Sequence, residues 1–292
     1  MIGHGGGVCV AACLAGVFSL EDALKLVAAR GRLMQSLHAG EMMAVPMAEV
    51  EVRAMLGSEL SVAAVNGPNS CVVSGSAGAI ETFSAKLAAR GFEGRKLHTS
   101  HAFHSGMMEP ILAEFEATVR GVKRSAPTLK YVSNVTGTWI TAEEAMDPGY
   151  WARHLRGTVR FADGVATLLG EGKVLALEVG PGRALSSFVR QHPVSASGPA
   201  AVNSMRHPLE QGEDRAVMLE AAGRLWMRGV ELDWAALHRG ERRRKVLLPT
   251  YAWQRERYWV ERGDEKAGGG AEEIPLLTQR ATTEGAERAE NP

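Results

Sequence analysis

A chain of 292 residues that is 45% hydrophobic and 23% charged has room for one large globular domain or two small ones. Its 33 basic and 33 acidic side chains cancel, which argues against nucleic-acid or membrane-surface binding driven by bulk charge. No apolar run approaches the roughly 20 residues of a membrane span, no signal peptide opens the chain, and three scattered cysteines (Cys9, Cys13, Cys71) suit a reduced cytoplasm better than a disulfide scaffold.

The first segment, Gly3-His-Gly-Gly-Gly7, leads into helix-compatible residues from Val8 to Ala15. A strand normally precedes such a glycine turn, and here almost none does, so the chain is expected to begin inside a domain. Ser19 is placed to cap a second helix from Leu20 to about Leu37, with Asp22 completing a capping box and Leu24, Val27 and Leu33 spaced toward a core. From Met42 to Leu97 the pattern predicts strand, helix (Ala48 to Leu56), strand (Leu60 to Val65), the turn Asn66-Gly-Pro-Asn69, strand (Ser70 to Ser74), helix (Ala79 to Arg90) and a short strand (Glu93 to His98). That order is the signature of a ferredoxin-like unit. Helix and strand then alternate again: Pro110 to Val122, Leu129 to Ser133, Ala162 to Leu169, Val174 to Val179. The expectation is one α/β domain with a small α+β unit inserted into it. Residues 263–292 carry Gly268-Gly-Gly270, seven acidic and three basic side chains and no aromatic ring. They are expected to be a disordered tail, because so little apolar surface cannot offset the entropy of ordering.

The glycine turn carries the chemical argument. In serine hydrolases and acyl transferases a Gly-x-Ser-x-Gly corner holds the nucleophile on a strained turn, and the following helix N-terminus favours the developing oxyanion. Gly3 and Gly7 have the flanking spacing, and the central residue is Gly5, which has no side chain.

Taken with Ala11 to Ser19, Ala29-Arg-Gly-Arg-Leu-Met34, Val65-Asn-Gly-Pro-Asn-Ser70, His101-Ala-Phe-His-Ser105, Glu178-Val-Gly-Pro-Gly182 and Leu248 to Trp259, this corner resembles the acyltransferase domain of modular type I polyketide synthases. Those domains are close to malonyl-CoA:acyl-carrier-protein transacylases, and the resemblance runs from Met1 to Trp259. It implies an α/β-hydrolase-like large subdomain, incomplete at its N-terminus (residues 1–41 and 98–205), with a ferredoxin-like small subdomain inserted at 42–97 and a post-acyltransferase linker at 206–262. The implied reaction moves a malonyl-type unit from coenzyme A to a serine and on to the phosphopantetheine arm of an acyl carrier protein. No bound cofactor or metal is implied. The implied partners are that carrier and neighbouring synthase domains, with the ketosynthase side reached through the linker.

The resemblance also implies residue roles. His104 falls at the general base, and a neutral imidazole suits that task. Arg30 falls at the clamp for the malonyl carboxylate, where a guanidinium binds in bidentate fashion. His154 falls where a backbone carbonyl orients the base, and Gly6 supplies one amide of the oxyanion hole. The other amide belongs to a glutamine segment upstream of the corner. His101 and Phe103 line the substrate site, and the tetrad His101-Ala-Phe-His104 accompanies malonyl rather than methylmalonyl units. Gly5 stands where the family has its serine, so the chain is expected not to form an acyl-enzyme. The alternative is a noncatalytic remnant that serves as an interaction surface.

Other patterns have ordinary explanations. The His-Gly-Gly-Gly oxyanion loop of some esterases needs a Gly-x-Ser-x-Gly downstream, and Ser74-Gly-Ser-Ala-Gly78 is a near miss, with Ser74 where the first glycine should stand. His98, His101 and His104 lack companion cysteine or carboxylate ligands for a metal. The basic run Arg239 to Lys245 has no interleaved aromatics and reads as solvated linker, and Gly180-Pro-Gly182 reads as a tight turn.

Overall fold

A computed structural model describes residues 1–172, 174–193, 201–242, 244–254, 256 and 258–259; the expected tail at 263–292 lies outside them. The chain divides into two compact units, Met1–Trp234 and Ala235–Pro292. In the second unit Tyr251, Trp253, Tyr258 and Trp259 are exposed, and the rings of Tyr251 and Trp253 meet edge to face. None of the helices among the described residues is long and apolar enough to cross a membrane.

The first unit opens with helices α1 (Gly7–Leu14) and α2 (Leu20–Gln35). Ser19 caps α2 by accepting from the Asp22 amide, while the Asp22 carboxylate pairs with Lys25 rather than closing a capping box. The buried stripe of α2 is Ala23, Leu26, Arg30 and Leu33. Leu24 and Val27, expected in the core, are exposed, as are Val10, Leu14 and Leu20. Leu33 lies on both candidate stripes, and the one that wins buries an arginine, which a count of apolar residues cannot anticipate.

The inserted unit follows the expected order: β1 (Glu41–Val45), α3 (Glu49–Met55), β2 (Leu60–Gly67), β3 (Ser70–Gly75), α4 (Ala77–Ala88) and β4 (Arg95–Lys96). The sheet runs β2-β3-β1-β4 with every neighbouring pair antiparallel, as a ferredoxin-like unit requires. Alternation decides its two faces. Met43, Val45, Cys71 and Val73 pack with Val52, Ile80, Phe83 and Leu87 of the two helices. Met42, Ala63, Ala64 and Val72 pack with Val159, Phe161 and Val165 on the other side. Burial on both faces holds the insertion firmly on the larger body.

That body continues through a 3-10 turn (Gly106–Ile111), α5 (Leu112–Arg120), α6 (Ala142–Met146), α7 (Pro148–Arg156) and α8 (Phe161–Leu169). Then come β5 (Ala176–Glu178), α9 (Ala184–Gln191), β6 (Ala201–Asn203) and α10 (Asp214–Trp226). Strands β5 and β6 pair in parallel, and α10 packs on β6. The expected strand at Leu129 to Ser133 is reduced to single bridges from Val132 to Ile2, parallel, and to Trp139, antiparallel. Its partner on one side is only Met1-Ile2, too short to build a ladder. A core of Val8, Ala12, Leu26, Phe115, Tyr131 and Trp151 locks α1, α2, α5 and α7 together.

Candidate active site

The corner between Ile2 and α1 is a sharp turn fixed from several sides. A Cβ on Gly3 would lie 2.2 Å from the Gly7 carbonyl carbon, so only glycine fits there. Gly7 has open space, so its lack of a side chain is not sterically required. Gly5 adopts φ +53°, the left-handed region. Its amide donates to Asn134 Oδ1 at 3.0 Å, and Asn134 Nδ2 donates to the Gly3 carbonyl at 2.9 Å. One buried side chain thereby clamps both ends of the turn. His4 Nε2 donates to Asn66 Oδ1 at 2.8 Å, and its ring leans on Phe161.

His104 reaches the same corner. It is 6% exposed and also left-handed, with φ 55°. Its Nδ1–H donates to the Gly157 carbonyl at 2.9 Å, which leaves the Nε2 lone pair free to accept. A Cβ on Gly5 would lie 3.5 Å from that Nε2, with no other atom outside residues 4–6 within 4 Å. The carbonyl that orients the imidazole was expected from His154; the structure gives first place to Gly157, just past the end of α7, with the His154 backbone also raising the pKa of His104. Helix carbonyls converge at a C-terminus, so the role falls three residues later than spacing suggested. The His154 side chain is buried among Tyr150, Trp151 and His104, and among the described residues its Nε2 has no partner.

Burial, the Arg30 cation and His4 together push the His104 pKa down to about 3, against the pull of the two carbonyls. Burial also lowers His4 and carries His154 well below the ordinary imidazole value. The base is therefore neutral at pH 7.

Arg30 is 8% exposed on α2, and its charge acts on His104, His154 and Cys9, which places it beside the corner. Among the described residues no carboxylate forms an ion pair with it. A buried guanidinium with no anionic partner is costly, because its charge is left uncompensated. Cys9 is buried against it, and burial raises its thiol pKa, so it is no substitute nucleophile.

Gly6 is the N-cap of α1, and its amide donates to no acceptor among the described residues. Phe103 is half-buried next to His104 and packs against two of the core clusters. His101 is different from expectation. Its Nδ1 meets Ser100 Oγ at 2.8 Å and its Nε2 meets the Leu37 carbonyl at 3.1 Å, so neither nitrogen is free for substrate. It braces the segment that carries Phe103, whose amide donates to the His101 carbonyl. Asn134 and Gly157 were not singled out from sequence; the one available signal was a polar Ser133-Asn134 closing an apolar stretch.

The chain is similar to known proteins over most of its length. A family model described as the acyl transferase domain matches residues 1–208. Polyketide synthase GfsA of Streptomyces halstedii is 41% identical over 295 residues, which take in 97% of this chain and 4% of that protein. Mycoketide-CoA synthase of Mycobacterium tuberculosis is 42% identical over 272 residues, 93% of this chain and 6% of that protein. The crystal structure of the acyltransferase domain from the second module of the salinomycin polyketide synthase superimposes with a TM-score of 0.78 at 40% identity, over 85% of this chain and 59% of that one. The chain thus spans only a small fraction of these curated relatives and a little over half of the solved domain. Matched over most of its length by that family, and similar in sequence and fold to polyketide synthase members of it, the chain belongs to the acyl transferase domain family.

Proposed function

We propose that this chain carries the acyl-transfer site of a polyketide synthase for malonyl-type thioesters, with Gly5 at the position of the serine nucleophile. The observation that carries this reading is the neutral imidazole of His104, oriented by Gly157 and presenting Nε2 to the place where a Gly5 side chain would stand. In that site Arg30 grips the free carboxylate of malonyl-CoA, Gly6 N–H faces the thioester oxygen, and Phe103 bounds the room at C2. His104 takes the proton of the nucleophile and returns it to the departing thiolate. With Gly5 in place no serine ester forms, so the chain as it stands does not load the phosphopantetheine thiol of an acyl carrier protein. Residues 206–262 serve as the linker toward neighbouring synthase domains, and the free cysteines suit a cytoplasmic setting.

Isothermal titration of the full chain tests the reading. Malonyl-CoA binds more tightly than acetyl-CoA, and Arg30→Ala removes the difference. Equal binding of the two thioesters by the unaltered chain overturns the carboxylate clamp. Failure to bind either leaves the noncatalytic remnant as the better account.

A further inference from the structure

We propose that Gly5 turns this site from acyl transfer to direct hydrolysis: the chain is a slow malonyl-CoA thioester hydrolase in which water takes the place of the serine hydroxyl. The inference rests on the acyl-transfer reading for how the substrate is held, and goes beyond it in naming the nucleophile and the product.

Three observations carry it. Outside residues 4–6, the only atom within 4 Å of where a Gly5 Cβ would lie is His104 Nε2, at 3.5 Å, so no other residue crowds the place of the missing hydroxyl, where a water is to donate to that nitrogen. His104 is only 6% exposed, its Nδ1–H is committed to Gly157, and its Nε2 points into that space with no hydrogen-bond partner among the described residues. The Gly6 amide opens the eight-residue helix α1 with no acceptor among the described residues, where a thioester oxygen gains a donor and the favourable end of the helix dipole. Arg30 adds the recognition element. Binding a carboxylate there offsets the cation that depresses His104, so the base strengthens when a malonyl group is in place.

The step balances without a further reagent. The water oxygen forms a bond to the thioester carbonyl carbon while its proton passes to His104 Nε2. The tetrahedral centre then collapses, the carbon–sulfur bond breaks with its electron pair on sulfur, and His104 returns the proton to the thiolate. The products are malonate and free coenzyme A. Losing the serine costs on the order of 10⁶ in turnover, and a complete oxyanion hole with bound substrate retains roughly 10³-fold over water, which is the ceiling for a site that contributes the Gly6 amide alone. General-base assistance is on the order of 10²-fold.

The experiment follows the full chain with malonyl-CoA in H₂¹⁸O, reading coenzyme A and malonate by mass spectrometry and the protein by intact mass. The expected result is release above the buffer rate by up to about 10³-fold, one ¹⁸O in each malonate and no mass gain on the protein. His104→Ala reduces release on the order of 10²-fold. Gly5→Ala, which fills the water's space and leaves Arg30 untouched, abolishes release while malonyl-CoA still binds. Arg30-dependent binding with release no faster than buffer overturns the hydrolase and leaves the acyl-transfer reading standing. Release unchanged in both His104→Ala and Gly5→Ala also overturns it. No binding of malonyl-CoA overturns both.

Discussion

His104 Nε2 stands 3.5 Å from the point where a Cβ on Gly5 would lie, and no other atom outside residues 4–6 comes within 4 Å of that point. A serine there would carry its hydroxyl one bond beyond that point, within hydrogen-bonding reach of the base in a rotamer directed toward it. Gly5→Ser is therefore expected to form a malonyl-enzyme, seen as a mass gain on incubation with malonyl-CoA and lost in the double variant with His104→Ala. The φ of +53° is strained for any residue with a Cβ and costs about 1–2 kcal/mol, so the variant should unfold at lower urea than the unaltered chain. A serine variant that folds and never gains the malonyl mass removes the acyl-transfer reading of this corner.

Arg30 and His104 are electrostatically coupled. The cation disfavours a second positive charge nearby, so it lowers the imidazole pKa below what burial alone gives. Arg30→Gln should raise the His104 pKa toward its ordinary value without reaching it, since burial remains. Titration of the imidazole resonances by NMR reads this directly, and an unchanged or lower value contradicts the coupling. The same substitution should weaken malonyl-CoA binding and spare acetyl-CoA.

Burial of neutral histidines also fixes how stability depends on acid. His4, His104 and His154 all have lowered pKa values in the fold, with His104 at about 3. Unfolded, each takes up a proton near 6.5. Between those limits the unfolded chain binds more protons, so stability rises with pH. Their full contribution is present above about pH 6.5 and falls as the pH drops toward 3. Urea unfolding at pH 7.5 and 4.5 should show the loss. His154→Phe, which keeps an aromatic ring among Tyr150 and Trp151, should make it smaller.

How much of this was legible in the sequence depended on what each residue answers to. The inserted sheet was readable because its strands are short apolar runs (Met42-Met43, Val72-Val73), as burial on both faces requires, and the Pro68-Asn69 turn announces the hairpin. The face of α2 was not. Leu24 and Val27 are as apolar as Leu26, and the choice between them is made by distant packing and by Arg30 facing the site. His104 and Arg30 came from motif resemblance, and the structure brings both to one corner. His101 carried the same motif weight and proved to be a brace, because the Leu37 carbonyl that occupies it lies 64 residues away in sequence. Asn134 is 129 residues from the amide it holds, and no pattern of spacing encodes such a contact.

That clamp makes its own prediction. Asn134 is 1% exposed and satisfies both the Gly5 amide and the Gly3 carbonyl. Removing it leaves two buried polar groups unpaired, at about 1–3 kcal/mol each. Asn134→Ala should lower unfolding free energy by about 2–6 kcal/mol and, in the Gly5→Ser background, slow acylation, because a corner displaced by 1 Å costs on the order of 10²-fold. A neutral effect on both would mean the corner holds its shape without the clamp.

Phe103 tests the choice of substrate. Its ring packs against two of the core clusters and lies 6.2 Å from the His101 ring, while its amide is tied to the His101 carbonyl, so it cannot swing aside cheaply. On the proposed reading, this ring, one residue before the base, bounds the room that a methyl group on C2 of the acyl unit would need. The resulting discrimination is limited, because one methyl is worth only about 1–3 kcal/mol in a pocket, or roughly 10- to 200-fold. Given equal malonyl-CoA and methylmalonyl-CoA, the Gly5→Ser form should load malonyl in excess within that range. Phe103→Ser should narrow the ratio by admitting the branched unit, with malonyl loading itself changed less. Since a half-buried ring is lost, the comparison is made at a temperature well below the melting transition of the double variant. A Gly5→Ser chain that favours methylmalonyl from the outset would show that the room at C2 is set by residues other than Phe103.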